Sequence, residues 1–189
     1  MGVVTTPWDE STRPTAAQPD DAAPTPRGAS AGQHLLEVHD HYRRELTQLR
    51  DVLDQVRAGS LGAGAARSEL NEMAVRANTW VLGSVCQSYC LALTQHHSME
   101  DAAVFPHLGS QDHGLRAVVD RLGQEHRAIH DLLESVDAAL VELVSTPDDL
   151  TAVQAAVDAL TEALLSHFTY EERELVGPLS RHGFYAGQV

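Results

Sequence analysis

The sequence predicts an all-α fold: an up-down four-helix bundle preceded by a disordered or extended N-terminal arm. Three observations carry this. Four long segments repeat apolar residues at steps of three and four, the stripe of an amphipathic helix. No segment shows the two-residue alternation of a half-buried strand. The first thirty residues hold five of the eight prolines and almost no large apolar side chain.

That opening stretch, residues 1–30, mixes Pro with Thr, Ala, Ser and Asp. Such a composition buries too little apolar surface to offset its ordering entropy, so its deletion is expected to leave stability and metal content nearly unchanged. Trp8 either anchors the arm or is exposed. The domain is expected over residues 31–189. Its first helix starts near Ser30 with Leu35, His39, Tyr42, Leu46, Leu49, Leu53 and Val56 in step, and the Gly-rich run from Gly59 to Gly64 ends it. The second runs from about residue 65 to residue 107, with Leu82, Val85, Tyr89, Leu93, His96, Glu100 and Ala103 in register and a break near Asn78 splitting off a short leading helix. Pro106 and Gly109 close it. The third spans about 115–145 on Val119, Leu122, His126, Ile129, Leu133, Val136, Leu140 and Val144. The fourth spans about 149–175, capped by Asp148 or Asp149, on Val153, Val157, Leu160, Leu164, His167, Glu171 and Leu175, with Gly177-Pro178 interrupting it. Loops this short join antiparallel neighbours.

At 189 residues the chain is long enough for one domain with a real core. Its formal charge of −14 argues against a nucleic-acid or anionic-membrane binder, since both need a cationic footprint. No apolar run approaches a membrane span, the N-terminus lacks the pattern of a secretory signal, and two cysteines make no disulfide scaffold. A cytoplasmic protein is the expectation.

Histidine is over-represented, with eleven in the chain, and several are placed rather than scattered. His39, His96, His126, His130 and His167 are read as lying on the inward stripes, and Glu100 and Glu171 follow His96 and His167 by four residues. A spacing of four sets two side chains on one helix face, one turn apart. A single inward histidine is more often a satisfied core residue than a ligand, and one His-x-x-x-Glu is commonly a solvated pair. Four helices each offering histidine in register are different. Burying five imidazoles and two carboxylates unpartnered costs several kcal/mol per ion, and a metal removes that cost. Imidazole suits iron, copper, zinc and nickel, and bridging carboxylates suit a pair of hard, redox-active ions built between facing helices.

These motifs resemble the hemerythrin-like (HHE) domain family. The resemblance rests on His39 in LLEVHDHYRREL, on HHSMEDAAVFP from His96 to Pro106, on QEHRAIHDLL with His126 and His130, and on His167 and Glu171 in LLSHFTYEERELVGPL. It covers about residues 33–182. It implies a four-helix bundle holding two non-haem iron ions, oxo-bridged when oxidised, with one iron position open to dioxygen or a related small ligand. On that resemblance Glu100 and Glu171 bridge the irons, and His39, His96, His126, His130 and His167 complete the shell.

Alternatives stay open at several positions. On the first helix His34 and His41 lie on the polar face, which leaves His39. On the second, His97/Asp101 competes with His96/Glu100; the stripe and the distance to Phe105-Pro106 favour His96/Glu100, so replacing His97 or Asp101 is expected to matter far less. Glu172 competes with Glu171. His107, His113 and His182 sit at helix ends and are expected in solvent. Tyr42 and Tyr89 lie within one or two turns of the ligands, as core packing or as a phenol reaching the centre. Cys86 and Cys90 are one turn apart, as small core residues or as a redox pair. The implied function is reversible dioxygen binding or sensing, with peroxide or nitric oxide turnover, or iron handling, as the alternatives. The small ligand is the expected partner, and the sequence leaves the oligomeric state open.

Overall fold

The structure, a computed structural model, describes residues 6–17, 23–61, 89–146 and 149–184, and among these no strand occurs. The parts of the second predicted helix around Asn78, Leu82, Val85 and Cys86 lie outside the described residues, as does the candidate cap Asp148. Four helices form the described body. Helix α1 is Pro26–Leu61. Helix α2 is helical over 89–99, widens to a π-turn at Glu100–Val104 and continues as Phe105–Gln111. Helix α3 is Arg116–Ser145 and helix α4 is Thr151–His182. No described helix is long and apolar enough to cross a membrane.

Helix α1 starts a turn before the expected Ser30. Thr25 caps it, its hydroxyl accepting from the Gly28 N–H at 3.0 Å, and Pro26 takes the first helical position, where a missing N–H costs nothing. Prolines fail to end two other helices. Helix α2 runs five residues past Pro106, and α4 runs through Pro178 to His182. At Pro106 the π-turn explains the continuation: proline offers no N–H and its ring crowds the carbonyl four residues back, and the widened ladder, with the Phe105 N–H donating to Glu100, makes room. Near the end of α3, Leu143 carries the stripe and Val144 is exposed. At the head of α4 the Asp149 carboxylate accepts from the Thr151 N–H.

Helices α1 and α4 lie antiparallel: Gly28 meets Ser180, His39 meets Glu171, and Arg50 meets Asp158. The buried side chains form two apolar clusters rather than one. One gathers Leu46, Leu49, Leu133, Val136 and Val153, the other Phe105, Leu108, Leu122, Leu175 and Leu179. Between them along the helices come His39, His96, Glu100, His126, His167 and Glu171, all buried. The core is split by a polar layer.

The arm is not idle where it is described. Residues 6–17 lie on the bundle, with a 3-10 turn at Glu10–Thr12. Trp8 packs on the first apolar cluster, the Tyr170 hydroxyl donates to the Pro14 carbonyl at 2.7 Å, and the Ala16 N–H donates to Glu174 at 2.9 Å. Residues 6–17 are therefore docked on the bundle rather than disordered. A proline-rich composition limits apolar burial, but specific polar contacts to buried groups hold these residues in place.

Candidate metal centre

Each helix lends the polar layer its inward residues. Helix α1 brings His39, α2 brings His96, His97 and Glu100, α3 brings His126, and α4 brings His167 and Glu171; all are buried. The π-turn begins at Glu100, where the ladder widens as its carboxylate enters the layer.

The donor atoms converge. The Nε2 atoms of His39, His96, His97, His126 and His167 are all buried without a hydrogen-bond partner, as are Oε2 of Glu100 and both oxygens of Glu171. Left so, each forfeits its hydration with no return. Glu171 Oε2 stands 3.4 Å from His39 Nε2 and 3.5 Å from His167 Nε2. Glu100 stands with Oε1 3.4 Å from His96 Nε2 and Oε2 3.7 Å from His126 Nε2. Two donors bound tetrahedrally at about 2.1 Å to one ion stand roughly 3.4 Å apart, so the spacing is that of ligands around a cation. Three groups have their donor atoms within 4.8 Å of one another: His97, His126 and His167; His39, His96 and Glu100; Glu100, His126 and Glu171. Each can hold a metal ion.

The opposite ring nitrogens fix the imidazoles. Nδ1 of His39 donates to Glu172 at 2.9 Å, Nδ1 of His126 to Asp101 at 2.9 Å, and Nδ1 of His167 to Glu125 at 3.2 Å. A carboxylate on Nδ1 selects the tautomer whose Nε2 carries a free lone pair, and it raises that nitrogen's basicity. Three of the five imidazoles are therefore oriented as ligands by a second residue.

The electrostatics suit a site for positive charge. Burial pushes His96 down to about 3, with the neighbouring imidazoles assisting, and drives His97 well below the usual histidine range. Both are neutral at neutral pH, the form that binds metal. Glu100 is raised by burial and by the adjacent Glu171. Burial opposes ionisation of Glu171 too, but His39 and the other imidazoles outweigh it and hold the pKa low.

Six of the seven sequence-predicted ligands meet in this layer: His39, His96, Glu100, His126, His167 and Glu171. His130 does not. Its side chain is 58% exposed, with Nε2 3.4 Å from Glu134 on the same helix. The inward stripe of α3 runs through Leu122, His126, Ile129 and Leu133, and at 100° per residue His130 sits roughly 70° off its centre. His97, expected to matter less, is buried in the layer and belongs to one of the three groups that could hold a metal ion. The choice between His96/Glu100 and His97/Asp101 is dissolved: both histidines face inward, Glu100 is in the layer, and Asp101 orients His126. Glu171 and Glu172 divide the same way, the first facing the centre and the second holding His39. His41 is exposed beside Glu45, and His34 and His113 are exposed. His107 is only half-buried and is no free end group, since its Nε2 donates to the Gly183 carbonyl at 2.8 Å.

Glu125 is the residue that sequence reasoning missed. It is buried, and besides His167 it accepts from Arg121 and, through both oxygens, from Arg13. Burial alone would raise its pKa, but these donors hold it at about 2. A carboxylate one residue before an inward histidine was the available signal.

Neither tyrosine is in the donor set. The Tyr42 ring lies 5.2 Å from that of His96, and its hydroxyl donates to the Ala92 carbonyl at 3.0 Å. Tyr89 sits two turns before His96, its ring 6.0 Å from that of Tyr42, and its buried hydroxyl, without a hydrogen-bond partner, feels Glu45 rather than the carboxylates of the layer. Cys90 is half-buried, with its thiol pushed up to about 11 by burial and Asp137; Cys86 lies outside the described residues. No curated protein and no solved structure matches the chain. A family model does match, that of the hemerythrin HHE cation-binding domain over residues 30–179, and with these converging donors inside that span the chain belongs to that family.

Proposed function

We propose that the chain is a non-haem di-iron protein that binds dioxygen or a related small ligand, in oxygen binding or sensing or in the response to oxidative or nitrosative stress. One observation carries this reading: the imidazoles divide unevenly about two shared carboxylates. His97, His126 and His167 form one group and His39 and His96 the other, while Glu100 and Glu171 approach histidines of both. Two ions held there would leave the His39–His96 side one donor short, which makes it the place for an outside ligand. Imidazole with carboxylate and no thiolate favours iron over softer ions. When bound, the iron pair supplies reversible redox change at that open position. The antiparallel pairing of α1 with α4 supports an up-down order of helices.

The chain's own residues shape what happens beside His39 and His96. Phe168 stacks on the His39 ring at 4.2 Å, and Leu93 is fully buried alongside. These walls exclude water. The nearest phenol, Tyr42, is committed to Ala92, and its pKa is pushed up to about 12 by burial and then by Glu45 and Glu100. Turnover of peroxide needs a proton delivered in time, and such a phenol delivers one poorly. With the Tyr42 hydroxyl spent on Ala92, reversible binding is preferred to peroxide decomposition.

Metal analysis joined to an optical spectrum tests the reading. We expect two irons per chain, charge-transfer absorption in the near ultraviolet after air oxidation, and an oxygenated spectrum that reverses under argon. Zinc alone, or no metal, would overturn it. Tyr42→Phe is expected to keep its iron and leave any peroxide decomposition at the parent level; a marked fall with full iron would favour the enzymatic alternative.

A further inference from the structure

We propose that the N-terminal arm is a strap linked to the metal centre, with Arg13 as the positioning residue that acts on His167 through Glu125. The inference rests on the di-iron reading above and goes beyond it, because Arg13 is not itself a ligand.

The connection is continuous. The Arg13 side chain is only 6% exposed, and its guanidinium grips Glu125 as a fork, Nε to Oε1 and Nη2 to Oε2, both at 2.8 Å. The same Oε2 accepts from His167 Nδ1 at 3.2 Å, and His167 Nε2 faces the centre without a hydrogen-bond partner. The arm holds the guanidinium where it is needed. Arg13 lies over the rings of Trp8 and Tyr170, at 5.5 and 4.6 Å from their centroids. Trp8 packs on the core, Tyr170 donates to the Pro14 carbonyl, and the Ala16 N–H donates to Glu174.

The outer carboxylates show why this matters. Glu172, behind His39, draws its arginine from α1, since Arg43 lies 2.8 Å away within the bundle. Glu125 has Arg121 on its own helix, bound through Nε at 3.0 Å, but its two-point partner comes from outside the bundle. A bidentate guanidinium fixes a carboxylate in plane, whereas a single contact leaves it free to turn. With the arm docked, Glu125 presents Oε2 squarely to His167 and holds its ring. With a cation on Nε2, the same ring is fixed from the other side, and Glu125 is held in the plane that the fork requires. Each end of the relay thus favours the other, and coupling of this kind is reciprocal.

The test uses the full chain. Ferrous iron is loaded without oxygen, and its release to a colorimetric ferrous chelator is followed in the parent, Arg13→Ala, Arg13→Lys, Trp8→Ala and Leu143→Ala. Hydrogen exchange across residues 6–17 is measured in the parent with and without iron. We expect Arg13→Ala to release iron about 3- to 10-fold faster, less than the roughly 10- to 100-fold effect of losing the partner that itself bonds a ligand, because Arg13 acts on His167 only through Glu125. Trp8→Ala, which loosens the arm without touching Glu125, should release iron faster as well. Arg13→Lys should recover part of the loss, and Leu143→Ala, which weakens the far core, should release iron like the parent. Exchange in the arm should slow when iron binds. Release from Arg13→Ala at the parent rate, or an arm whose exchange ignores iron, would overturn the proposal. If Arg13→Ala does not fold, the exchange measurement on the parent decides alone. A parent that binds no metal would instead sink the di-iron reading itself.

Discussion

At the residue scale, His97 and His130 are the instructive pair. Both lie near an inward histidine, and the fold buries His97 and exposes His130, the reverse of what periodicity suggests. Helix α2 is enclosed widely enough to bury two adjoining faces, Leu93 and His96 on one and His97 on the other, whereas α3 shows solvent the face that bears His130. A carboxylate or imidazole one residue off a stripe's centre is in or out according to how many helices surround it. We expect His97→Ala to weaken metal binding by more than about tenfold, because it removes one of three donors from its group, and His130→Ala to leave binding unchanged. Metal content after dialysis against a weak chelator checks both. The reverse result would return His130 to the ligand set.

At the element scale, the seam between α1 and α4 sets the register that brings His39 to Glu171. It closes where α1 begins. A Cβ on Gly28 would run into the Ser180 carbonyl oxygen, and one on Gly32 would lie 2.9 Å from that of Val176. The Thr25 N–H donates to the same Ser180 carbonyl at 3.0 Å. Backbone cannot step aside as a flexible side chain can, so Gly28→Ala should destabilise the fold by about 1–3 kcal/mol. The midpoint of urea unfolding, with an unchanged slope, measures it. A midpoint equal to the parent's would mean that the seam is looser than the structure has it.

At the scale of the whole molecule, the polar layer divides the apolar core in two, and a metal held by its donors would make that division tolerable. Without it, the chain keeps five imidazole nitrogens and three carboxylate oxygens of the layer buried and unpartnered. Metal that binds only the folded chain adds stability in proportion to the logarithm of its excess over Kd, about 4 kcal/mol at a thousandfold excess. For a chain of this size that corresponds to roughly 8–16 °C in Tm. Thermal unfolding of the iron-loaded and chelator-stripped protein should differ by that much. Equal transitions would mean that the layer is satisfied without metal.

The sequence by itself located the described helices and named most of the residues that meet in the polar layer. Apolar periodicity located α1, α3 and α4 to within a few residues at most ends, and the histidines and glutamates interrupting those stripes named six of the residues that meet in the layer. Local pattern suffices there because a helix face is set by spacing alone. Helix ends at Pro106 and Pro178 were beyond it, since whether a proline stops a helix depends on the packing that holds the next turn. So was the exchange of His130 for His97, which turns on how far neighbouring helices wrap each one. The outer carboxylates Asp101, Glu125 and Glu172, and the reach of Arg13 across more than a hundred residues to Glu125, were decided only by the tertiary structure. A contact between distant segments leaves no period in the chain, and a buried charge reveals its partner only when the fold has brought the two together.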